Sequence, residues 1–434
     1  RSIKKYCGNN YPISIKLSID DCEPNGIRVE ETVEVAKVLE KEGVSMLNLM
    51  MGTHAVVYPS TGFYDINIYL SQAKQIKDAV QIPCMVGLGV QTASLAESIL
   101  ESGQGDFIAL AKQEIADCNW PNKVKNNQED DIRPCIKCLV GCTDNGIIGH
   151  HPIRCAVNPT VYKYYEDKYP QAKVVKNVAV IGAGPAGMEA AYVAKKRGHD
   201  VVLCEQSDRL GGQLNIACVP IGKQEITKVV KYMKSQLTGV DVRLNTTVTK
   251  EMIENEFKDY EVITTVGATP KEIEPYKVFK QTMTADDILS GKKFPGRKIV
   301  IIGGGSVGCE TADYLAPLIN DLFPTNRDIT LIEMTNGLMT GESGATKSLL
   351  TRRMMEKGVK IELNSKITYV DETTIKYTKN NQEYVLDDVD TLVFAVGYNP
   401  ISSPIENAHL IGDCQKVGTL KDAITNAYQI TKEI

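Results

Sequence analysis

The sequence predicts an α/β protein with parallel sheets, interrupted by a short cysteine-rich segment. Three observations lead to this prediction. Apolar strands alternate with amphipathic helices over residues 1–125, two strand–glycine loop–helix units begin at Asn177 and Lys298, and four cysteines fall between positions 135 and 155. Such alternation implies parallel strands with helices packed against the faces of the sheet.

Composition sets the limits of this fold. The chain has 434 residues, 43% of them hydrophobic and 24% charged, with a formal net charge of −5. This is ordinary globular composition with room for roughly two to four domains. The charge gives no reason to expect a nucleic acid partner. Without an apolar run of about 18 residues or a signal peptide, we expect no membrane partner and a cytoplasmic location. Because the first residue is Arg1, we expect the numbering to begin inside a longer chain.

The first region, residues 1–125, carries the clearest alternation. Apolar residues recur at helical spacing in Glu30–Lys41 and Ser94–Ser102, which predicts helices there. The predicted strands are Ile13–Leu17, Met46–Met50, Cys84–Gly87 and Phe107–Leu110.

Residues 126–172 differ in character. A polar linker, Asn126–Asp131, precedes a segment in which prolines and glycines interrupt any regular element. We therefore expect little core here, and a bound metal would supply the order.

The first glycine loop lies between two apolar strands. Gly182 permits a tight turn, Gly184 lets the backbone approach a pyrophosphate, and Gly187 allows close helix–strand packing. The helix predicted over 186–197 offers its free N–H groups to the phosphates. Glu205 ends the next strand, where it would accept hydrogen bonds from a ribose hydroxyl, although an acidic residue there also suits a solvated strand end.

The second loop repeats this arrangement with Gly303, Gly305, Gly308 and Glu333. A carboxylate at position 333 would repel a ribose 2′-phosphate, which predicts NADH rather than NADPH. A lone glycine motif is weak evidence. Here each motif has its strand, helix and acidic residue at the expected spacing, so the pair predicts two Rossmann-like dinucleotide-binding domains.

Four cysteines form the candidate metal site: Cys135, Cys138, Cys142 and Cys155, with the spacing C-x2-C-x3-C-x12-C. Thiolates suit both zinc and iron–sulfur clusters. Structural zinc usually has two paired C-x2-C arms, and the second arm is missing here. The spacing therefore favours a 4Fe–4S cluster over zinc, disulfides or buried unreactive thiols.

Two glycine loops in tandem resemble the flavoprotein reductases with two dinucleotide domains, in which the first loop binds FAD and the second binds the nicotinamide cofactor. The stretch Gly211–Leu214 matches the family's flavin-contacting turn, which implies flavin contacts for Gly212 and Gln213. Leu410-Ile411-Gly412-Asp413 resembles its closing motif. The resemblance implies that Asp413 binds the ribityl–phosphate arm of FAD, against the alternative of a simple turn residue.

The segment DDIRPCIKCLVGC, followed by IRCAVNP, resembles the cluster signature of the iron–sulfur branch of the old yellow enzyme family. That branch includes 2,4-dienoyl-CoA reductase, 2-enoate reductase, trimethylamine dehydrogenase and bile-acid-inducible NADH:flavin oxidoreductases. The resemblance covers essentially the whole chain. It implies a (β/α)8 barrel that binds FMN, yet only about half the residues of a barrel precede the cysteines. The chain is then a fragment, is completed by another chain, or has lost FMN; we favour the fragment.

The partial barrel carries some of the family's positions. The resemblance makes His54 a general acid for the substrate's α-carbon, and a loop histidine without a role is the alternative. Lys16 stands where the family has an Arg near flavin N1, and Lys112 stands where an Arg holds the FMN phosphate. A third family Arg is absent from 87–90, and Lys does not reproduce the two-pronged hydrogen bonding of Arg.

The resemblance implies an enzyme that passes electrons from NADH through FAD and a 4Fe–4S cluster to FMN, and reduces an activated C=C bond of an enoate, enoyl-CoA or enone. An amine dehydrogenase and a non-catalytic electron-transfer subunit are the alternatives. The expected partners are a small unsaturated substrate and either a further copy of the chain or a protein electron acceptor. The expected domains are a half barrel (1–125), a cluster segment (126–172), an FAD domain (173–270 and 396–434) and an inserted NAD(P)H domain (271–395).

Overall fold

The computed structural model describes residues 2–53, 61–64, 66–87, 89–161, 163, 167–316, 327–403, 405 and 408–434. These residues form two compact units, 1–142 and 143–434. None of the helices in the described ranges is both long enough and apolar enough to cross a membrane. The expected α/β fold with parallel sheets is confirmed.

The first unit contains a parallel four-stranded sheet in which the strands follow one another in chain order. The strands are β1 (Ser14–Ser18), β2 (Met46–Met50), β3 (Cys84–Val86) and β4 (Phe107–Ile108). Its helices are α1 (Ser2–Cys7), α2 (Val29–Lys41), α3 (Ile66–Ala79), α4 (Ala93–Glu101), α5 (Lys112–Ala116) and α6 (Trp120–Lys125).

The two faces of this sheet differ. Side chains alternate between faces along a strand, and one face buries Leu47, Leu49, Cys84 and Val86 against the helices. The residues of the other face are partly or fully exposed within this unit. They include a row across all four strands, in register: Lys16, Asn48, Met85 and Phe107.

The segment after α6 contains a 3₁₀ turn (Glu129–Asp131) and then a helix of the wide π type (Val140–Ile148). This helix is a difference from the sequence prediction, which expected no regular element here. Gly146 lies inside this helix and has no side chain to obstruct the loop that follows. A Cβ atom at this position would lie 2.5 Å from Ile153 Cγ1, so glycine allows the loop to pack closely. The Gly149 amide closes the helix with a bond to the Asp144 carbonyl (2.7 Å).

The second unit contains two five-stranded parallel sheets. The first has the spatial order β19-β8-β5-β6-β7, and its strands are β5 (Asn177–Ile181), β6 (Asp200–Cys204), β7 (Asp241–Arg243), β8 (Glu261–Thr264) and β19 (His409–Leu410). Its helices are α7 (Pro185–Lys196), α8 (Leu214–Ala217), α9 (Ile226–Ser235), α10 (Lys250–Glu254) and α14 (Leu420–Thr431).

The second sheet has the order β10-β17-β11-β12-β13 and comprises β10 (Thr282–Thr284), β11 (Lys298–Ile302), β12 (Asp328–Ile332), β13 (Lys360–Glu362) and β17 (Thr391–Phe394). Beside it lie an antiparallel sheet and three helices: β14 (Ser365–Val370), β15 (Ile375–Lys379), β16 (Gln382–Leu386), α11 (Ala285–Leu289), α12 (Ser306–Leu315) and α13 (Gly344–Glu356).

A pair of short antiparallel strands joins the two parts of the second unit. β9 (Ala268–Pro270) leads the chain out of the first sheet, and β18 (Tyr398–Pro400) returns it beside β9. The sheet of residues 282–394 is therefore inserted in the sequence of the first. Short 3₁₀ turns at Glu274–Tyr276 and Gly412–Cys414 complete the elements.

Candidate functional site

The first glycine loop connects β5 to α7. Gly182 has a φ angle of +98°, and a Cβ atom there would lie 2.6 Å from the Thr265 carbonyl oxygen. Gly187 packs so closely that a Cβ atom would meet the Gly182 carbonyl oxygen. Gly184, by contrast, faces open space for at least 4 Å. The loop thus has one open position at the N-terminus of α7, where a phosphate would be bound by free N–H groups.

Two distant segments lie against this loop. The Gly211 amide donates a hydrogen bond to the Ala183 carbonyl (2.9 Å), and Gly212 approaches Gly184 so closely that a Cβ atom on Gly212 would lie 2.9 Å from the Gly184 Cα. A Cβ atom on Gly412 would lie 2.9 Å from the Ala186 Cβ. The structure therefore brings together the glycine loop, the turn containing Gln213 and the motif containing Asp413.

Glu205 is buried at the end of β6. Its Oε2 accepts a hydrogen bond from the Ala183 amide (2.7 Å), and its Oε1 accepts from the amide and hydroxyl of Ser207 (2.9 and 2.8 Å). The carboxylate is fixed beside the glycine loop rather than extended into solvent.

The second glycine loop repeats this geometry between β11 and α12. Gly303 has a φ angle of +106°, and a Cβ atom on Gly308 would meet the Gly303 carbonyl oxygen. Gly305 is open for at least 4 Å. The Glu333 carboxylate accepts hydrogen bonds from the amides of Gly304 (2.6 Å) and Thr335 (2.7 Å). Burial acts to raise the pKa of Glu333, but these bonds outweigh it and hold the pKa below its ordinary value.

A cavity of about 720 Å³ opens at this second loop. Gly303, Gly305 and Glu333 form one part of its wall, and Lys271 and Lys366 line it as well. Pockets for small molecules and cofactors commonly have volumes of about 300–1,000 Å³. The volume and the open glycine suit an extended dinucleotide.

Polar side chains connect the two glycine-loop domains. Gln213 Nε2 donates hydrogen bonds to Asp286 Oδ2 and to the Tyr398 hydroxyl oxygen, both at 3.0 Å, and that hydroxyl donates to Asp286 Oδ1 (2.6 Å). Burial, followed by the hydrogen bond to Asp286, raises the pKa of Tyr398. An ion pair between Lys223 and Glu310 (2.6 Å) is a second connection.

Sequence reasoning had not identified Asp286 or Tyr398 as site residues. Tyr398 lies 112 positions from Asp286 and 185 from Gln213, so no local motif marks the three as neighbours. The order of the domains, with one inserted in the other, could have drawn attention to the two connecting strands, one of which contains Tyr398.

Three of the four candidate cysteine ligands, Cys135, Cys138 and Cys142, lie in the first unit; Cys155 lies in the second. Lys137 and Leu139, between the first three, have left-handed backbone angles (φ of 53° and 62°). The Lys137 amide donates to Cys135 Sγ (3.4 Å), as amides do to ligand thiolates.

Lys112 lies close enough to this loop for its ammonium to interact with the charge of all three thiols. Burial lowers the pKa of Lys112, and the thiols act in the opposite direction. Among the described residues, no group of three or more His, Cys, Asp and Glu side chains is placed as ligands of a metal ion would be. The chemistry of these groups fits an anionic iron–sulfur cluster. Three thiols are close in sequence, the Lys137 amide donates to one of them, and Lys112 lies nearby.

The remaining predicted site residues belong to the first unit. Lys16 is in the middle of β1, on the sheet face that the helices leave exposed, and its register partner is Asn48 on β2. His54 lies outside the residues that the structure describes.

Comparison with known proteins identifies the relatives of this chain. A family model described as pyridine nucleotide-disulphide oxidoreductase matches residues 176–417. The NADH oxidase of Thermoanaerobacter brockii and the cinnamate reductase of Clostridium sporogenes are each 31% identical to it, over 100% of this chain and 68% of the relative. A solved structure of 2-naphthoyl-CoA reductase with 2-naphthoyl-CoA superposes with a TM-score of 0.90 at 26% identity, covering 100% of this chain and 66% of that one.

The expectation of an NAD-dependent flavoprotein oxidoreductase is confirmed by these relatives, and the match over 176–417 indicates FAD and NADH as cofactors. The chain spans about two thirds of the length of these relatives. Through residues 176–417 the chain belongs to the pyridine nucleotide-disulphide oxidoreductases, and its relatives fit the old yellow enzyme/2,4-dienoyl-CoA reductase family.

Proposed function

We propose that the protein is an NADH-dependent enzyme that reduces an activated C=C bond, with electrons passing from NADH through FAD and a 4Fe–4S cluster to FMN. The observation that carries this proposal is the pairing of two complete dinucleotide loops in one unit, joined through Gln213, Asp286 and Tyr398. Relatives named for the reduction of cinnamate and 2-naphthoyl-CoA support an unsaturated carboxylate or thioester as the substrate class.

In this proposal the first glycine loop binds the FAD pyrophosphate at Gly182, Gly184 and Gly187. Glu205 accepts hydrogen bonds from the adenosine ribose while it also holds the Ala183 amide. The segments that contain Gly212, Gln213 and Asp413 meet this loop, and they would contact the flavin and its ribityl arm.

Gly303, Gly305 and Gly308 of the second loop would hold the pyrophosphate of a nicotinamide cofactor bound in the neighbouring cavity. Glu333 binds the ribose hydroxyls and excludes a 2′-phosphate by charge. Glu333 carries its charge at neutral pH, and its hydrogen bonds to the Gly304 and Thr335 amides fix the carboxylate at the loop, which supports NADH as the reductant.

In this proposal the ligands of the cluster are the thiolates of Cys135, Cys138, Cys142 and Cys155. A bound 4Fe–4S cluster would supply one-electron transfer between two flavins. The proposed domain limits remain 1–125, 126–172, 173–270 with 396–434, and 271–395.

FMN and the substrate are assigned to the exposed face of the first unit's sheet. Parallel sheets are normally covered on both faces, which supports a partial (β/α)8 barrel. Lys16 on that face would stabilise a reduced flavin by its charge, Lys112 would lie near the flavin phosphate, and His54 would donate a proton to the substrate's α-carbon.

Anaerobic purification of the complete gene product tests the proposal. We expect about four iron atoms per chain, with sulfide, FAD and FMN, and NADH-dependent reduction of at least one member of a panel of cinnamate, aryl-CoA thioesters and enones. Iron-free or zinc-containing protein would contradict the cluster. Iron and FAD without FMN, with dye reduction but no C=C reduction, would favour the electron-transfer subunit instead.

A further inference from the structure

We propose that Gln113 is a positioning residue for the iron–sulfur cluster: its side-chain amide fixes the backbone of Cys135, and so sets the direction of the first ligand thiolate. This inference rests on the cluster assigned under the proposed function. It concerns residues of the first unit alone, and it adds a residue that does not itself bind the cluster.

Gln113 bridges the loop with both ends of its amide. It lies in α5 and is 3% exposed. Its Oε1 accepts a hydrogen bond from the Cys135 amide (3.0 Å), and its Nε2 donates to the Arg133 carbonyl (2.9 Å). Because the two contacts lie on either side of Pro134, the amide holds the segment on both sides of its rigid residue.

Gln91 holds the opposite side of Cys135. Its Nε2 donates to the Cys135 carbonyl, and the Gln91 carbonyl itself accepts a hydrogen bond from Trp120 Nε1 (2.8 Å). Both backbone polar groups of Cys135 are therefore bound by buried side chains. Asp117 adds a third contact, since its Oδ2 accepts from the Arg133 amide (2.9 Å).

These contacts replace secondary structure that the segment lacks. Residues 132–139 belong to no helix or strand, and buried backbone groups need hydrogen-bond partners wherever a regular element does not provide them. A ligand's orientation depends on such supporting bonds, and losing one typically weakens metal binding by about 10- to 100-fold. Once the Cys135 backbone is fixed, its thiol can change position only by rotation about the Cα–Cβ bond.

The same helix brings charge to the site. Lys112, next to Gln113, places its ammonium near the three thiols. Since α5 follows β4 directly, one short element connects the end of the sheet to the cysteine loop, carrying both the cation and the bridging amide. Displacement of α5 would therefore alter the cluster's geometry and its electrostatic environment together.

The test uses the complete protein with Gln113→Met, which keeps the size of the side chain and removes both hydrogen bonds. Gln113→Glu keeps an acceptor for the Cys135 amide. Gln128→Met is the matched control, because Gln128 is exposed, lies seven positions before Cys135 and belongs to the same unit. Amide exchange over 133–139, the rate of iron loss to a chelator, and the midpoint potential of the cluster are measured for each variant.

We expect Gln113→Met to exchange faster at Cys135, to lose iron about tenfold faster and to have a shifted potential. In amide exchange and iron loss, Gln113→Glu should fall between it and wild type, and Gln128→Met should match wild type in all three measurements. If the wild type holds iron and Gln113→Met shows unchanged amide exchange, iron loss and midpoint potential, the inference is overturned but the proposed function is not. Iron-free wild type would overturn the proposed function. Should the Met variant fail to fold, as judged by loss of amide protection across strands β1–β4 of the first unit, the Glu variant decides on the same measurements.

Discussion

At the scale of single residues, Glu205 and Glu333 each have a structural function in the glycine loop beside the proposed binding of a ribose. Each accepts the amide of the residue after its loop's first glycine, Ala183 in one case and Gly304 in the other. The carboxylate therefore shapes the loop before any ribose arrives. This explains why the two carboxylates are held in hydrogen bonds, where the alternative interpretation expected solvated side chains.

Glu333→Gln should weaken NADH binding and relax the discrimination against NADPH. The carboxylate accepts hydrogen bonds from the amides of Gly304 and Thr335, one at each oxygen, and the neutral amide of Gln has only one oxygen to accept them. Each hydrogen bond to a charged group contributes about 1.5–3 kcal/mol to stability, so the loop would be held less firmly. Lys271 and Lys366 line the same cavity and would then favour a 2′-phosphate. We expect an NADH Kd about tenfold higher, measured by fluorescence titration, while the NADPH Kd falls or stays constant. Unchanged selectivity would contradict the role of Glu333.

Asp413→Asn should stabilise the apoprotein and weaken FAD binding. Burial raises the pKa of Asp413, the Asp422 charge also raises it, and the Gly418 amide acts in the opposite direction. Because the folded-state pKa is raised, the charged form is disfavoured in the fold; this cost is present above the folded pKa and disappears as pH falls toward 3.8. We expect the variant's Tm to be about 1–3 °C higher at neutral pH, with the gain lost near about pH 4. An equal FAD Kd for the variant and wild type would count against cofactor contact.

At the scale of elements, the packing of α12 on α13 depends on a buried charge cluster. Asp313 and Lys357 have side chains only 2% and 5% exposed, with Lys357 Nζ 2.9 Å from Asp313 Oδ1. Arg353 approaches the other oxygen at 3.1 Å. Removing one partner of a buried pair leaves an uncompensated charge, at a cost of about 3–5 kcal/mol.

We therefore expect Asp313→Ala to lower the free energy of unfolding by about 3–5 kcal/mol in denaturant titration. Asp328→Ala is the matched control, since the Asp328–Lys360 pair is exposed and should contribute about 1 kcal/mol or less. Equal effects of the two substitutions would show that burial does not determine the contribution of the Asp313 pair.

The sequence predicted most elements that depend on local patterns. The strand Met46–Met50 has the predicted bounds, and the helix predicted over Glu30–Lys41 begins one residue earlier, at Val29. The strand predicted over Phe107–Leu110 pairs only at its first two residues, because β4 is the edge of its sheet and follows the short β3. Local apolar spacing carries no information on how long the partner strand is.

The same limit applies to the site. The glycine loops are local and were recognised, whereas the supports of the cysteine loop were not. Gln113 and Gln91 meet Cys135 across 22 and 44 positions, and Asp286 meets Tyr398 across 112. Isolated glutamines give no signal in a sequence, since their function depends on which backbone groups the fold places beside them.

At the scale of the whole molecule, the chain divides into units that can be tested separately. The second unit contains both dinucleotide loops, and the segment just before β5 belongs to its packing. The Tyr428 hydroxyl donates to the Lys168 carbonyl (2.8 Å), and the Tyr169 ring packs edge-on against Tyr192 and Tyr428. Arg197 donates to the Pro170 carbonyl (2.9 Å). These contacts place residues 168–170 with the dinucleotide domains, a few residues before the proposed limit at 173, so we expect a self-contained reductase fragment to include them.

A fragment of residues 167–434 should fold, bind equimolar FAD and be reduced by NADH at nearly the rate of the complete chain, while holding no iron. A matched fragment of residues 173–434 lacks Lys168, Tyr169 and Pro170, and should be less stable, since aromatic pairs contribute about 0.5–1.5 kcal/mol beyond their buried area and the hydrogen bonds are lost as well. Thermal unfolding and anaerobic stopped-flow measurement of flavin reduction compare the two fragments with the complete chain.

If neither fragment binds FAD while the complete chain does, the flavin site needs the first unit or the cysteine segment, and the proposed domain limits are wrong. If both bind FAD with equal stability, the tyrosine contacts do not mark the beginning of the domain.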